Sequence, residues 1–74
     1  MEQTLGQKRV KAEFNSAKND VVDQIKNKAA ELIDLLETLR FTESGSGERH
    51  RVISIAQTDI ENASMWGVKA CFTN

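Results

Sequence analysis

Six of the ten basic residues fall within the first 28 positions: Lys8, Arg9, Lys11, Lys18, Lys26 and Lys28. Phe14 and Asn15, an aromatic ring followed by an amide, stand among them. Ammonium and guanidinium groups take phosphate, a ring face takes a base, and an amide reads a base edge. The set therefore suits a small, phosphorylated, base-bearing ligand. The plainer alternative is that these lysines are solvated surface and Phe14 is a core plug.

Other chemistry is scarce. His50, the sole histidine, lies between Arg49 and Arg51. No nucleophile is spaced to partner it, and it is expected to be a solvated residue in the first turn of a helix. Cys71 sits near a helix C-terminus, the wrong end of the dipole for a thiolate, and reads as packing. A single cysteine excludes an intramolecular disulfide and fits a reducing compartment. The sequence carries no Cys/His metal spacing, no Gly-rich phosphate loop before a helix and no nucleophile elbow. A non-enzyme without metal or cofactor is expected.

The elements that position these residues are helical. Val22, Ile25, Ala29, Leu32, Leu36 and Leu39 recur at three- and four-residue spacing, which predicts a helix over about 20–40. Asn19 or Asp20 can cap it, and Asp20 and Asp23 put negative charge at its positive end. A polar loop over 42–47 contains two glycines, and Ser46 can cap a second helix over about 48–70. Val52, Ala56, Ile60, Ala63, Gly67 and Ala70 line one face of that helix. The face is narrow, and its small residues would let another backbone approach closely. Residues 1–18 read as a polar arm with a short helix around Thr4–Phe14. The chain of 74 residues is one domain: an all-α antiparallel hairpin with a short N-terminal helical arm.

A lone hairpin of this size does not bury all its apolar residues, which include Val21, Ile33, Leu35, Ile53, Ile55, Met65, Trp66, Val68 and Phe72. Burial at ~25 cal/mol per Å² must offset ~1.5 kcal/mol of ordering per residue. Self-association resolves the deficit, so a homo-oligomer is expected, with Trp66 in the core or an interface. Charge is uneven along the chain. Arg40 stands alone against Glu31, Asp34, Glu37, Glu43 and Glu48 around the loop, whereas the open end gathers the arm, Lys26, Lys28 and Lys69. The net charge of −1 weighs against a protein that coats polymeric nucleic acid or an anionic membrane. No run approaches the ~18–20 apolar residues of a membrane span, and the N-terminus shows no apolar signal-peptide core.

The order of segments carries further information. Leu5-Gly6-Gln7-Lys8-Arg9-Val10 leads to Phe14-Asn15, then Val22-Asp23-Gln24-Ile25-Lys26 and Ala30-Glu31-Leu32-Ile33-Asp34. After the loop come Ala56-Gln57-Thr58-Asp59-Ile60-Glu61 and Ser64-Met65-Trp66-Gly67-Val68-Lys69-Ala70. This order resembles the small phage proteins of the anti-CBASS protein 2 family, whose hairpin is shared with an anti-Thoeris sponge. The resemblance covers nearly the whole chain. It implies a compact hexamer of helical hairpins in the cytoplasm of an infected bacterial host, sequestering cyclic oligonucleotide messengers without hydrolysing them. By that resemblance Phe14 stacks on a base of a cyclic dinucleotide and Lys26 meets its phosphates, with Lys28 joining from a neighbouring chain. Lys11, Asn15 and Lys69 are the candidates for a separate cyclic-trinucleotide site, and Arg9 of the arm completes the ligand-binding set. Two departures stand out: Phe14 occupies a position often held by Tyr, and position 28 is a lysine.

Two alternatives compete with the sponge. One is a homo-oligomeric helical module that binds a protein through Ile55, Met65 and Phe72, with no nucleotide ligand. The other is an oligomeric binder of polymeric nucleic acid, which the net charge disfavours.

Overall fold

The computed structural model of the chain describes residues 2–13, 19–41 and 46–74. Every regular element among them is helical: α1 (Leu5–Val10), α2 (Asp20–Thr38) with a 3₁₀ turn over Leu39–Phe41, and α3 (Gly47–Cys71). No helix among the described residues is long and apolar enough to cross a membrane.

Each helix start is satisfied locally. Asn19 caps α2, its Oδ1 accepting from the backbone N–H groups of Val21 at 2.9 Å and Val22 at 3.3 Å. Ser46 caps α3, its Oγ accepting from Arg49 N at 3.1 Å. Thr4 caps α1 in a reciprocal box: Thr4 Oγ1 accepts from Gln7 N at 3.1 Å and Gln7 Oε1 accepts from Thr4 N at 2.9 Å. These bonds satisfy donors that the first helical turn leaves open.

The helices α2 and α3 run antiparallel, with Ile25 opposite Gly67 and Ile33 opposite Gln57. The arm is more than a polar appendage, because α1 docks on α2. Val10, Ala30 and Ile33 form a buried cluster against which Ala12, Ala29 and Ile60 pack. Contact at Gly6 is backbone to backbone: a Cβ there would lie 2.1 Å from the Ala30 carbonyl oxygen. Gly6 N also donates to Asp34 Oδ1 at 2.7 Å. Only glycine permits this approach, which fixes α1 in register.

The buried faces differ from those the apolar spacing predicts. On α2 the buried residues are Val22, Lys26, Ala30 and Ile33, while Leu32 and Leu39 are exposed. On α3 they are Ile53, Gln57 and Ser64, while Val52, Ala63 and Ala70 are exposed. Both stripes are turned by about one residue. The physical reason is that the inward faces include polar side chains whose hydrogen bonds join the helices, and a count of apolar residues passes over them. Gly67 also proves less crowded than expected. A Cβ there would meet only Ile25 side-chain atoms at 3.4 and 3.6 Å, ordinary van der Waals contact.

At the loop end, the joint is a hydrogen-bonded network around Arg40. Its Nε donates to Glu37 Oε1 at 2.8 Å, and its Nη2 donates to Ser54 Oγ at 2.6 Å and Gln57 Oε1 at 2.9 Å. Gln57, 1% exposed, donates from Nε2 to Ile33 O at 3.1 Å and Glu37 Oε1 at 3.0 Å. These bonds let a buried amide and a half-buried charge sit between two helices without the cost of unpaired burial. The Gln57 amide, with Arg40 behind it and against the opposing effect of desolvation, holds the Glu37 carboxyl below its ordinary range. His50 is half-buried rather than solvated, its Nδ1 3.5 Å from Arg40 Nη1.

Candidate ligand-binding surface at the open end

The open end begins where α1 stops. Lys11 adopts the left-handed conformation, φ 55° and ψ 54°, with its N–H returning to the Gln7 and Lys8 carbonyls. A non-glycine residue pays for that backbone shape, and the surroundings hold it there. Lys26 Nζ donates to Lys11 O at 2.9 Å. An ammonium is well matched to a carbonyl at a helix C-terminus, where the dipole is negative.

This contact departs from the plainer alternative in which Lys26 is solvated surface. Lys26 is only 7% exposed. Its stem lies in the seam between α1, α2 and α3, and its charge is held beneath a shallow cavity. That cavity, of about 190 Å³, is lined by Val10, Lys11, Lys26, Ser64, Met65 and Val68. Lys11 itself is exposed on its rim.

Met65 connects this cavity to a second one of about 250 Å³, which it lines with Trp66 and Lys69. Lys69 Nζ sits 5.2 Å from the centre of the Trp66 ring, within the range of a cation–π contact. Trp66 is 67% exposed, so within the chain it is no part of the core that the sequence assigns it to as one option. Among the described residues no carboxylate pairs with Lys11 or Lys69. Three lysines and one indole therefore line two cavities that have Met65 in common.

The other candidates are placed differently. Arg9 is tied into α3, its Nε donating to Glu61 Oε1 at 2.6 Å and its Nη2 to Thr58 Oγ1 at 3.1 Å. That pairing makes Arg9 a brace between α1 and α3. Lys28 lies away from Lys26, in a separate groove of about 300 Å³ with Ile25, Leu32 and Ala63 among its walls. Two residues apart on a helix point in nearly opposite directions, so one chain does not bring Lys26 and Lys28 together. Phe14 and Asn15 lie outside the described residues.

Residues 6–72 match the family model described as the Acb2/Tad1 hairpin domain. The chain belongs to this family. The match begins at Gly6, where α1 touches α2, and runs past the end of α3, so it takes in every candidate site residue. A comparison with curated proteins and another with solved structures each return no match. The Acb2/Tad1 hairpin is a sponge-type domain.

Proposed function

We infer that this protein is a non-enzymatic sponge that binds cyclic oligonucleotide second messengers, cyclic dinucleotides and also cyclic trinucleotides, and so blocks host CBASS antiviral signalling. The observation that carries the reading is the open-end surface of Lys11, Lys26 and Lys69 beside an exposed indole, on a chain of the Acb2/Tad1 hairpin family. Phosphates are held by cations, and bases by an aromatic face. Lys26 supplies a charge whose position is set by Lys11 O before a ligand arrives, which lowers the ordering cost of binding.

The same reading explains why the chain would work as a homo-oligomer, with six copies implied by its resemblance. A cavity of about 190 Å³ falls short of the ~300–1,000 Å³ usual for a small-molecule site. A neighbouring chain that brings its own Lys28 to the rim would complete it. Leu35, Phe41, Val52 and Ile55 are all exposed in the single chain, apolar surface of the kind that a second copy covers. The exposed Ile55, Met65 and Phe72 equally keep a protein-binding module as the second reading.

Calorimetric titration of the purified protein with cyclic di- and trinucleotides, followed by chromatography of the recovered ligand, tests the reading. Tight binding with the ligand returned intact is the expected result. Absence of heat with every cyclic nucleotide would reject it in favour of the protein-binding module, and cleaved ligand would make the protein an enzyme.

A further inference from the structure

Trp66 is the only tryptophan of the chain and its largest apolar side chain, yet it stands 67% exposed near the end of α3. Leaving an indole in water forgoes stabilisation that a buried position would provide. Its surroundings differ from those of the other exposed apolar residues. Lys69, one turn further along the helix, holds its ammonium 5.2 Å from the ring centre. Two cavities adjoin this pair, one of about 250 Å³ that includes Met65 and one of about 480 Å³ that includes Ala70 and Thr73. Met65 also lines the cavity above Lys26.

We propose that Trp66 is a base-stacking platform of the open-end surface, with Lys69 placed to take a phosphate of the same nucleotide. The proposal rests on the cyclic-oligonucleotide reading and deepens it by giving the exposed indole and its lysine separate tasks on one nucleotide. Every base has a π face that stacks on an indole. When a base takes the ring, the Lys69 ammonium leaves it for the neighbouring phosphate, so the charge exchanges one partner for a stronger one. An inter-chain contact at Trp66 would instead strip water from the ammonium along with the ring, which is costly without an anion. A nucleotide brings that anion with it.

Because Trp66 is the sole tryptophan, its fluorescence reports on this position alone. The unmodified protein is titrated with cyclic di- and trinucleotides carrying adenine or guanine, and with inorganic phosphate as a probe that cannot stack. The expected result is saturable quenching by a cyclic nucleotide, with the midpoint found by calorimetry, and none by phosphate. Trp66→Ala should weaken binding by about five- to one-hundred-fold with self-association unchanged, and Trp66→Phe should restore most of it. Calorimetric binding with unchanged Trp66 emission, and wild-type affinity in Trp66→Ala, would overturn the proposal while the sponge reading stands. Loss of self-association in Trp66→Ala, seen by light scattering, would overturn it in favour of an inter-chain contact. No heat and no quenching with any cyclic nucleotide would reject both together.

Discussion

The two ends of the hairpin hold their cations in opposite ways. At the loop end, Arg40 is saturated: Glu37, Ser54 and Gln57 accept from its guanidinium, and the His50 backbone oxygen lies 3.4 Å from it. At the open end, Lys26 meets a backbone carbonyl, Lys69 a ring face, and Lys11 lies exposed. The difference separates a charge that holds the fold together from charges that the proposed function assigns to a ligand. A guanidinium already committed to several acceptors gains little from a phosphate. An ammonium resting on an indole gains a full charge pair from one.

Mutations at the two ends should therefore separate stability from affinity. The largest effect on stability is expected from Arg40→Met, which leaves Gln57 and Glu37 without their cation. A loss of about 2–4 kcal/mol in urea unfolding is predicted, with ligand affinity of the folded protein unchanged. Lys69→Met should do the reverse, altering stability by less than about 0.5 kcal/mol while weakening nucleotide binding at least several-fold in calorimetry. If Arg40→Met loses affinity as much as Lys69→Met does, the division between the ends fails.

The two glycine contacts offer a second, somewhat smaller contrast. Gly6→Ala forces a methyl against the Ala30 backbone and should cost about 1–3 kcal/mol, read as a lower midpoint in thermal unfolding. Gly67→Ala meets only ordinary contact and gains helix propensity, up to about 1 kcal/mol. A well-tolerated Gly6→Ala would show that α1 is not held against α2 at the backbone.

The pH dependence of stability sharpens the loop end further. The Glu37 carboxyl titrates lower in the folded state than in the unfolded one. Its contribution is therefore present above the ordinary carboxylate range and is lost as pH falls through the folded value. Thermal unfolding followed across acid pH should show the loss, and Glu37→Gln should flatten that part of the profile. The smallest effect is expected at the exposed Arg51–Glu48 pair: Arg51→Ala should change stability by less than about 0.5 kcal/mol, within the scatter of a thermal scan.

The helix pair was legible because its signals are local. Asn19 and Ser46 announce helix starts, and three- and four-residue apolar spacing announces the helices themselves. The docking of α1 was less visible, although Thr4 and Gln7 carry a capping-box pattern, because the deciding contact at Gly6 involves no side chain. The buried faces were misread by one position for a related reason. Lys26, Gln57 and Ser64 are polar, and only the tertiary fold shows that Lys26 and Gln57 find hydrogen-bond partners inside. For the candidate site, charge and the resemblance single out lysines of the open end, but their pattern does not reveal that Glu61 pairs with Arg9 or that Lys28 faces a different groove of its own chain from Lys26. Trp66 read as core or interface from its size and from Gly67 beside it, and hydrophobicity does not reveal that within the single chain its helix presents it to solvent.

The most direct test of the central claim is the change in backbone and indole amide resonances of the ¹⁵N-labelled protein as a cyclic di- or trinucleotide is added. Shifts concentrated at Lys11, Lys26, Met65, Trp66 and Lys69, with Arg40, His50, Ser54 and Gln57 quiet, are the predicted outcome. Shifts centred on the Arg40 network, or none with any cyclic nucleotide, would contradict it.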